Sequence, residues 1–229
     1  MCGRFAFDAT ADEAQQSFPG FIFPADMPPR YNIAPGQPIL AFIGENRADY
    51  FKWGLVPSWA KDIKIGNKMI NARAETLAEK PAFRNAYKKR RCLIPATGFY
   101  EWQKQPDGKT KVPMHICLVS SQPFAMAGLW ETWQSAEGQK IQTCTIVTTE
   151  PNDLMMPIHN RMPVILPPET YAIWLDPKET SADVLNGLLK PYPAANMTAH
   201  PVSTLINNPN NDTPECIKPS TPIEQNTLF

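Results

Sequence analysis

Cys2 stands directly behind the initiator methionine in the opening sequence MCGRF. Removal of Met1 would give it a free α-amine beside its thiol, with ordinary pKa values of about 8 and about 8.5, so both groups are poised near neutrality. An internal cysteine offers sulfur alone. This terminus would offer nitrogen and sulfur on neighbouring carbons, two nucleophiles in one residue. The other cysteines, Cys92, Cys117, Cys144 and Cys216, are widely scattered, and an odd total of five suits reduced thiols better than a disulfide framework. Neither a C-x-x-C pair nor a close His/Cys cluster is present, which argues against a zinc site, and no metal or other cofactor is expected.

Charge distribution points toward a partner. The 22 basic and 22 acidic residues cancel, yet eleven Lys or Arg against three acids (Asp62, Glu75 and Glu79) fall between Lys52 and Arg91. Such a local surplus can attract phosphate although the whole chain is neutral. A solvated helix face around AYKKRR is the plainer alternative. The sequence lacks a basic segment followed by a hydrophobic stretch at its start, and no apolar run approaches the roughly 18–20 residues that cross a bilayer. The expectation is a cytoplasmic, monomeric globular protein without a membrane partner; 229 residues at 43% hydrophobic content suffice for one large domain.

The elements that must position these groups are mostly strands. TADE at Thr10 to Glu13 reads as a capping box opening a short helix that SFPG ends. PADMPPRYNIAPGQP is too rich in proline for a helix or a central strand and reads as loop. PILAFIG, YFKWGLV, RCLIPATGFYEWQ, VPMHICLV, FAMAGLWETW and KIQTCTIVTT are dominated by β-branched and aromatic residues and read as strands. Short helices are expected at PAFRNAYKK, PPETYAIWL and TSADVLNGLLK, with a turn at NDLMM. Strands outnumber helices without regular alternation, so the expected class is α+β, with mainly antiparallel β-sheets curled into a barrel-like core and a few short peripheral helices. One domain over residues 1–204 and an irregular extension over 205–229, with a disordered end, complete the organisation.

MCGRF, RYNIAPGQ, WGLVPSWAKD, INARAET, CLIPATGFYEW and IHNRMPVIL occur in this order, from about Cys2 to Ser203. In these six motifs the chain resembles the SRAP family, the SOS-response-associated peptidase-like proteins that attach covalently to abasic sites in single-stranded DNA. The resemblance implies a thiazolidine between the amino-terminal cysteine and the aldehyde form of an abasic deoxyribose, shielding the lesion from strand scission. It implies loss of Met1, by the protein itself or by a general aminopeptidase, and a place at damaged DNA in the nucleoid. The amine would form an imine and the neighbouring thiol would close the ring, an intramolecular capture that removes on the order of several kcal/mol from the barrier.

By the same resemblance Glu101 in GFYEW is the general acid/base that shuttles protons between amine, sugar hydroxyl and imine. Strand alternation sets it opposite Tyr100 and Trp102. His159 in IHNRMP resembles the histidine that assists ring opening or holds the adjacent phosphate. Asn71 in INARAET resembles the amide that orients the amino terminus and the opened sugar. Arg73 and Arg161 match arginines near the lesion phosphates, and Arg4 either joins them or pairs with a carboxylate. Trp59, on the proline-marked loop VPSWAKD, is read as a wedge or stacking platform, with Trp102 a weaker candidate. Without the resemblance Glu101 reads as an exposed strand carboxylate, Asn71 as a turn residue and a tryptophan as core, the reading kept for Trp53 and Trp130. His115 and His200 are expected to be structural.

Two rival readings remain. Amidotransferases with an amino-terminal nucleophile also begin Met-Cys-Gly, which accounts for Cys2 but leaves the basic segment, INARAET and GFYEW without roles. A noncatalytic single-strand-binding module would need only Trp59 and the basic stretch. DNA binding in either DNA reading should ignore base sequence and depend on salt. The terminal QNTLF, Gln225 to Phe229, resembles the Q-x-x-L-F peptide by which bacterial repair proteins dock on the replication sliding clamp, and a flexible tail suits such docking.

Overall fold

Runs of β-branched and aromatic residues build thirteen strands among the residues that the computed structural model describes, 2–179 and 181–220. The expectations about Met1, about a disordered end beyond residue 220 and about Gln225 to Phe229 lie outside the described residues. In chain order the strands are β1 (Phe5–Phe7), β2 (Arg30–Ile33), β3 (Pro38–Ile43), β4 (Arg47–Trp53), β5 (Asn71–Arg73), β6 (Arg91–Ala96) and β7 (Gly98–Lys104). Then follow β8 (Lys111–Leu118), β9 (Phe124–Gln134), β10 (Lys140–Thr149), β11 (Met162–Pro163), β12 (Ile165–Leu166) and β13 (Met197–Pro201). Short helices α1 (Ala11–Ser17), α2 (Arg84–Lys89), α3 (Tyr171–Leu175) and α4 (Ala182–Leu188) lie between them.

The larger sheet closes on itself. β10 pairs with β4, β4 with β3, β3 with β6, β6 with β9 and β9 with β10, a five-stranded ring in which only the β4–β10 pair is parallel. Closure leaves these five strands without an open edge. β5 and β11 extend the ring from β10, and β12 from β9. The smaller sheet, ordered β13-β8-β7-β1-β2, is antiparallel throughout. The chain thus adopts the α+β, mainly antiparallel, barrel-like class. Phe5, Phe42, Phe51, Trp53, Leu55 and Leu93 are fully buried in the main core, each contributing roughly 1.5–3 kcal/mol by leaving water.

Local rules account for the ends of elements. Thr10 and Glu13 form the reciprocal capping box of α1. YFKWGLV stops being strand at Gly54, which has φ +126° and packs so closely on Gly66 that a Cβ would meet its carbonyl oxygen at 2.6 Å. Two expectations change. RCLIPATGFYEWQ is two strands in different sheets, with the corner held by the Thr97 N–H donating to the Ala6 carbonyl at 2.8 Å. The proline-rich stretch read as loop contains β2, an edge strand, the position in a sheet where neighbouring prolines are tolerated.

Residues 205–220 carry no strand or α-helix, yet they pack against the small sheet, with Ile206 and Cys216 fully buried. Buried Asn32 donates through Nδ2 to the carbonyls of Asn208 (3.0 Å) and Asn211 (2.6 Å). The Asp212 carboxylate accepts from the Asn32 N–H at 2.9 Å and pairs with Arg30. Among the described residues no helix is long and apolar enough to cross a membrane.

Candidate active site

β1 carries the amino terminus into the small sheet between β2 and β7, with Phe5 opposite Phe99. The Tyr100 N–H donates to the Arg4 carbonyl at 2.9 Å, which holds the residues just before β1 along β7. Cys2 is completely buried there, its Sγ 3.9 Å from the same Arg4 carbonyl. Burial, and secondarily the nearby Glu101 carboxylate, push the thiol far above its ordinary pKa. It is a thiol, not a thiolate, at neutral pH.

Asn71 opens β5, which lies parallel to β10 with Asn71 opposite Ile146. Its Nδ2 donates to the Cys2 carbonyl at 2.7 Å, while Oδ1 is buried with no hydrogen-bond partner among the described residues. Glu101 lies in mid-β7 and is 3% exposed. Tyr100, its neighbour on the opposite face, donates its hydroxyl to the Tyr31 carbonyl at 2.7 Å. Burial raises the Glu101 pKa, because an ionised carboxylate there loses solvation.

His159 ends the turn over residues 153–158, its N–H donating to the Met155 carbonyl at 2.8 Å. Its Nδ1 lies 3.8 Å from Glu101 Oε1, 3.1 Å from the Arg161 N–H and 3.3 Å from the Arg161 carbonyl. Burial lowers its pKa. The neutral ring can accept from the Arg161 N–H, and a protonated Nδ1 faces a carbonyl and a carboxylate. The geometry therefore suits a group that holds and releases a proton beside Glu101.

Arg161 clasps Glu75 with two bonds, of 2.8 and 2.9 Å, and donates a third to the Thr148 carbonyl at 2.6 Å. That guanidinium, chiefly by its hydrogen bonds, holds the Glu75 carboxyl below its ordinary pKa. Arg73 pairs opposite Thr148, on the Asn71 side of β5, with its side chain exposed. Cys2, Asn71, Glu101, His159, Arg161 and Arg73 are thus linked by direct bonds or strand register.

Arg4 and Trp102 belong elsewhere. Arg4 Nη1 donates to Asn32 Oδ1 (2.6 Å) and to the Ile206 carbonyl (2.7 Å), and its guanidinium lies 6.0 Å from the Trp102 ring. Trp102 Nε1 donates to Asn207 Oδ1 at 2.8 Å. Both side chains fasten the C-terminal extension. Trp59 is 59% exposed at the tip of a loop fixed on both sides, by the Val56 N–H on Thr143 Oγ1 (2.9 Å) and by Trp133 Nε1 on the Ala60 carbonyl (2.7 Å). An exposed ring on an anchored loop is a stacking surface that needs little ordering.

Trp53 is buried in the core and Trp130 packs edge-on against Phe51. His115 is buried between Tyr100 and His200, and burial, helped by His200, pushes its pKa down to about 3. Glu75 is the site's overlooked residue, and Asn32 that of the anchorage behind it. Glu75 lies within INARAET and is one of three acids in the basic segment, the signal that could have marked it as an arginine's partner. No sequence signal singles out Asn32. Among the described residues no group of three or more His, Cys, Asp or Glu is arranged to hold a metal ion.

Comparison with known proteins adds to this geometry. The family model described as SOS response associated peptidase (SRAP) matches residues 1–209. The abasic site processing protein YoqW of Bacillus subtilis (strain 168) is 52% identical over 223 residues, covering 95% of this chain and 99% of that protein. The abasic site processing protein HMCES of Rattus norvegicus is 30% identical over 271 residues, covering 96% of this chain and 76% of that protein. A crystal structure of a protein from Bacteroides thetaiotaomicron superposes with a TM-score of 0.87 at 28% identity, covering 96% of this chain and all of that one.

Proposed function

Because the chain belongs to the SOS response associated peptidase (SRAP) family, we propose that it processes abasic sites in DNA by joining Cys2 covalently to the ring-opened sugar. The observation that carries this reading is the fixing of Cys2 beside a buried acid: Asn71 bonds its carbonyl at 2.7 Å, and the Tyr100 N–H on the Arg4 carbonyl runs the chain after Cys2 along the strand that holds Glu101.

The order of steps follows from the protonation states. While Met1 is attached, the Cys2 nitrogen is an amide with no lone pair to offer, so Met1 must leave first, by this protein's own action or by an aminopeptidase. The freed amine adds to the aldehyde and expels water, giving an imine. The thiol then adds to the imine carbon, forming the C–S bond, and its proton ends on the ring nitrogen. A thiol kept protonated by burial is a poor first nucleophile, which favours the amine in that role. Glu101 supplies a proton to the departing hydroxyl and, once ionised, takes the thiol proton during closure. His159, 3.8 Å away, assists opening of the sugar and resets the proton. Arg73 and Arg161 hold flanking phosphates, Arg161 exchanging part of its clasp on Glu75, and Trp59 stacks on a base beside the gap.

Intact mass before and after incubation with an abasic single strand tests the reading. A conjugate appearing only on protein that has lost Met1, and abolished by chemical acetylation of the terminus, is expected. A conjugate that survives acetylation overturns the mechanism. Release of ammonia from glutamine would instead support an amidotransferase. Affinity that survives Cys2→Ala with no gel-stable adduct would support a binding module. The QNTLF ending supports docking on a sliding clamp; equal retention of the full chain and of one ending at Glu224 on immobilised clamp would dispose of that docking.

A further inference from the structure

The barrel carries a concavity of about 750 Å³ whose walls include Gly36, Tyr50, Lys52, Thr132, Lys140 and Gln142. We propose that this groove binds the sugar–phosphate backbone of the DNA that flanks the lesion; the proposal rests on the reading of the protein as one that acts on abasic DNA. Among the described residues Lys52 and Lys140 are the only charged ones in its lining, and no Asp or Glu lines it. In a chain of zero formal charge, such a lining is a local positive field.

Its walls are ordered by the sheet. Lys52 is held opposite Pro38 on β3 and beside Thr143 on β10, and Lys140 opposite Gln134 on β9. The Tyr50 ring is 41% exposed, and its hydroxyl donates to the Asp26 carbonyl at 3.3 Å, so a flat apolar surface is presented beside the cations. Gln142 and Thr132 add uncharged donors. Two cations, polar donors and one exposed ring suit phosphate and sugar contact and carry no pattern for reading base edges.

The groove is also joined rigidly to the site. Ile141, in its wall, packs with Val56, Ala60 and Trp133, the cluster that anchors the Trp59 loop. Trp53, the residue after Lys52, donates Nε1 to the Ile70 carbonyl at 2.8 Å, immediately before Asn71. Lys52, paired with Thr143, and the Trp59 loop, bonded to the same Thr143 through the Val56 N–H, are thus held to one point of β10.

The test uses the full chain with Lys52→Glu and Lys140→Glu together, and with both changed to Gln should the charge reversal impair folding. Strands carrying a tetrahydrofuran lesion, which has no aldehyde, report noncovalent affinity by anisotropy across a salt series. Each lost phosphate contact lowers the salt slope by about 0.7 for single strands and about 0.9 for duplex, so the double variant should lose about 1.4 or about 1.8 on strands of about twenty nucleotides. Affinity for those strands at low salt should fall about tenfold or more, with single-stranded and duplex flanks compared side by side. Strands of about five nucleotides are too short to reach beyond the lesion site, so true abasic ones should still be conjugated to the wild-type extent. Charge reversal at Lys178 and Lys190, outside the groove, controls for net charge and should leave the slope closer to wild type. An unchanged slope and affinity on long strands, or an equal loss in the control, overturns the groove. Absence of any conjugate with wild-type protein would instead count against the covalent reading, while the salt series still decides the groove.

Discussion

Replacing Glu101 by glutamine separates proton transfer from packing, because the amide fills the same buried space and cannot titrate. Two effects of opposite sign follow. A positioned acid–base group contributes about 100-fold or more to rate, so adduct formation by Glu101→Gln should slow by at least about 100-fold while tetrahydrofuran strands bind as before. Stability should move the other way. Glu101 is 3% exposed and burial raises its folded pKa above the unfolded value of about 4.3. Its contribution is therefore fully present below pH of about 4.3 and is lost as pH rises through the folded pKa, where an ionised carboxylate must stay in the core. Glutamine escapes that loss, so the variant gains on wild type as pH rises, by about 1.4 kcal/mol for each pH unit between the two pKa values. For a chain of this size 1 kcal/mol is about 2–4 °C in Tm. Denaturing gels on a quenched time course, and thermal melts at pH 5 and pH 8 on proteins with the same amino terminus, measure both. A variant that conjugates at the wild-type rate, or whose Tm difference from wild type is the same at both pH values, refutes the assignment.

Asn71→Ala removes the 2.7 Å bond to the Cys2 carbonyl; at about 0.5–1.5 kcal/mol for such a bond, conjugation should slow roughly 2- to 12-fold, and Asn71→Asp more, since an acceptor would then face an acceptor. Glu75→Gln weakens a pair whose carboxylate side is 51% exposed, so unfolding should cost at most about 1 kcal/mol less, while removal of a negative charge beside Arg161 should tighten DNA binding in low salt. Anisotropy at two salt concentrations checks the second effect. Arg91 is buried and its guanidinium serves five carbonyls, those of Tyr87, Lys88, Trp174, Asp176 and Glu179. Arg91→Lys has too few donors for that cage and should lower stability by about 2 kcal/mol or more, read by thermal melting.

The strands were legible because their composition is local information, and so was the capping box at Thr10. The corner at Thr97 was not, since side-chain pattern runs on without a break where the chain leaves the barrel for the small sheet. What holds that corner is a bond to Ala6, 91 residues earlier. The site shows the same division. Asn71, Glu101 and His159 stand out through short motifs that resemble the family's, but Arg4 shows how far proximity in sequence can mislead. It lies two residues from Cys2, and an extended chain would put both on one face. β1 begins only at Phe5, however, and through Gly3 the alternation lapses: Cys2 joins the core side with Phe5, whereas Arg4 joins Tyr100 and Trp102 on the side of the extension. Its carbonyl nevertheless receives both the Tyr100 N–H and the Cys2 thiol. The small sheet therefore has one face toward the proposed site and one for anchorage. Through Asn32, Arg4 and Ile206, residues 205–220 hold from behind the segment that leads from Cys2 into β1.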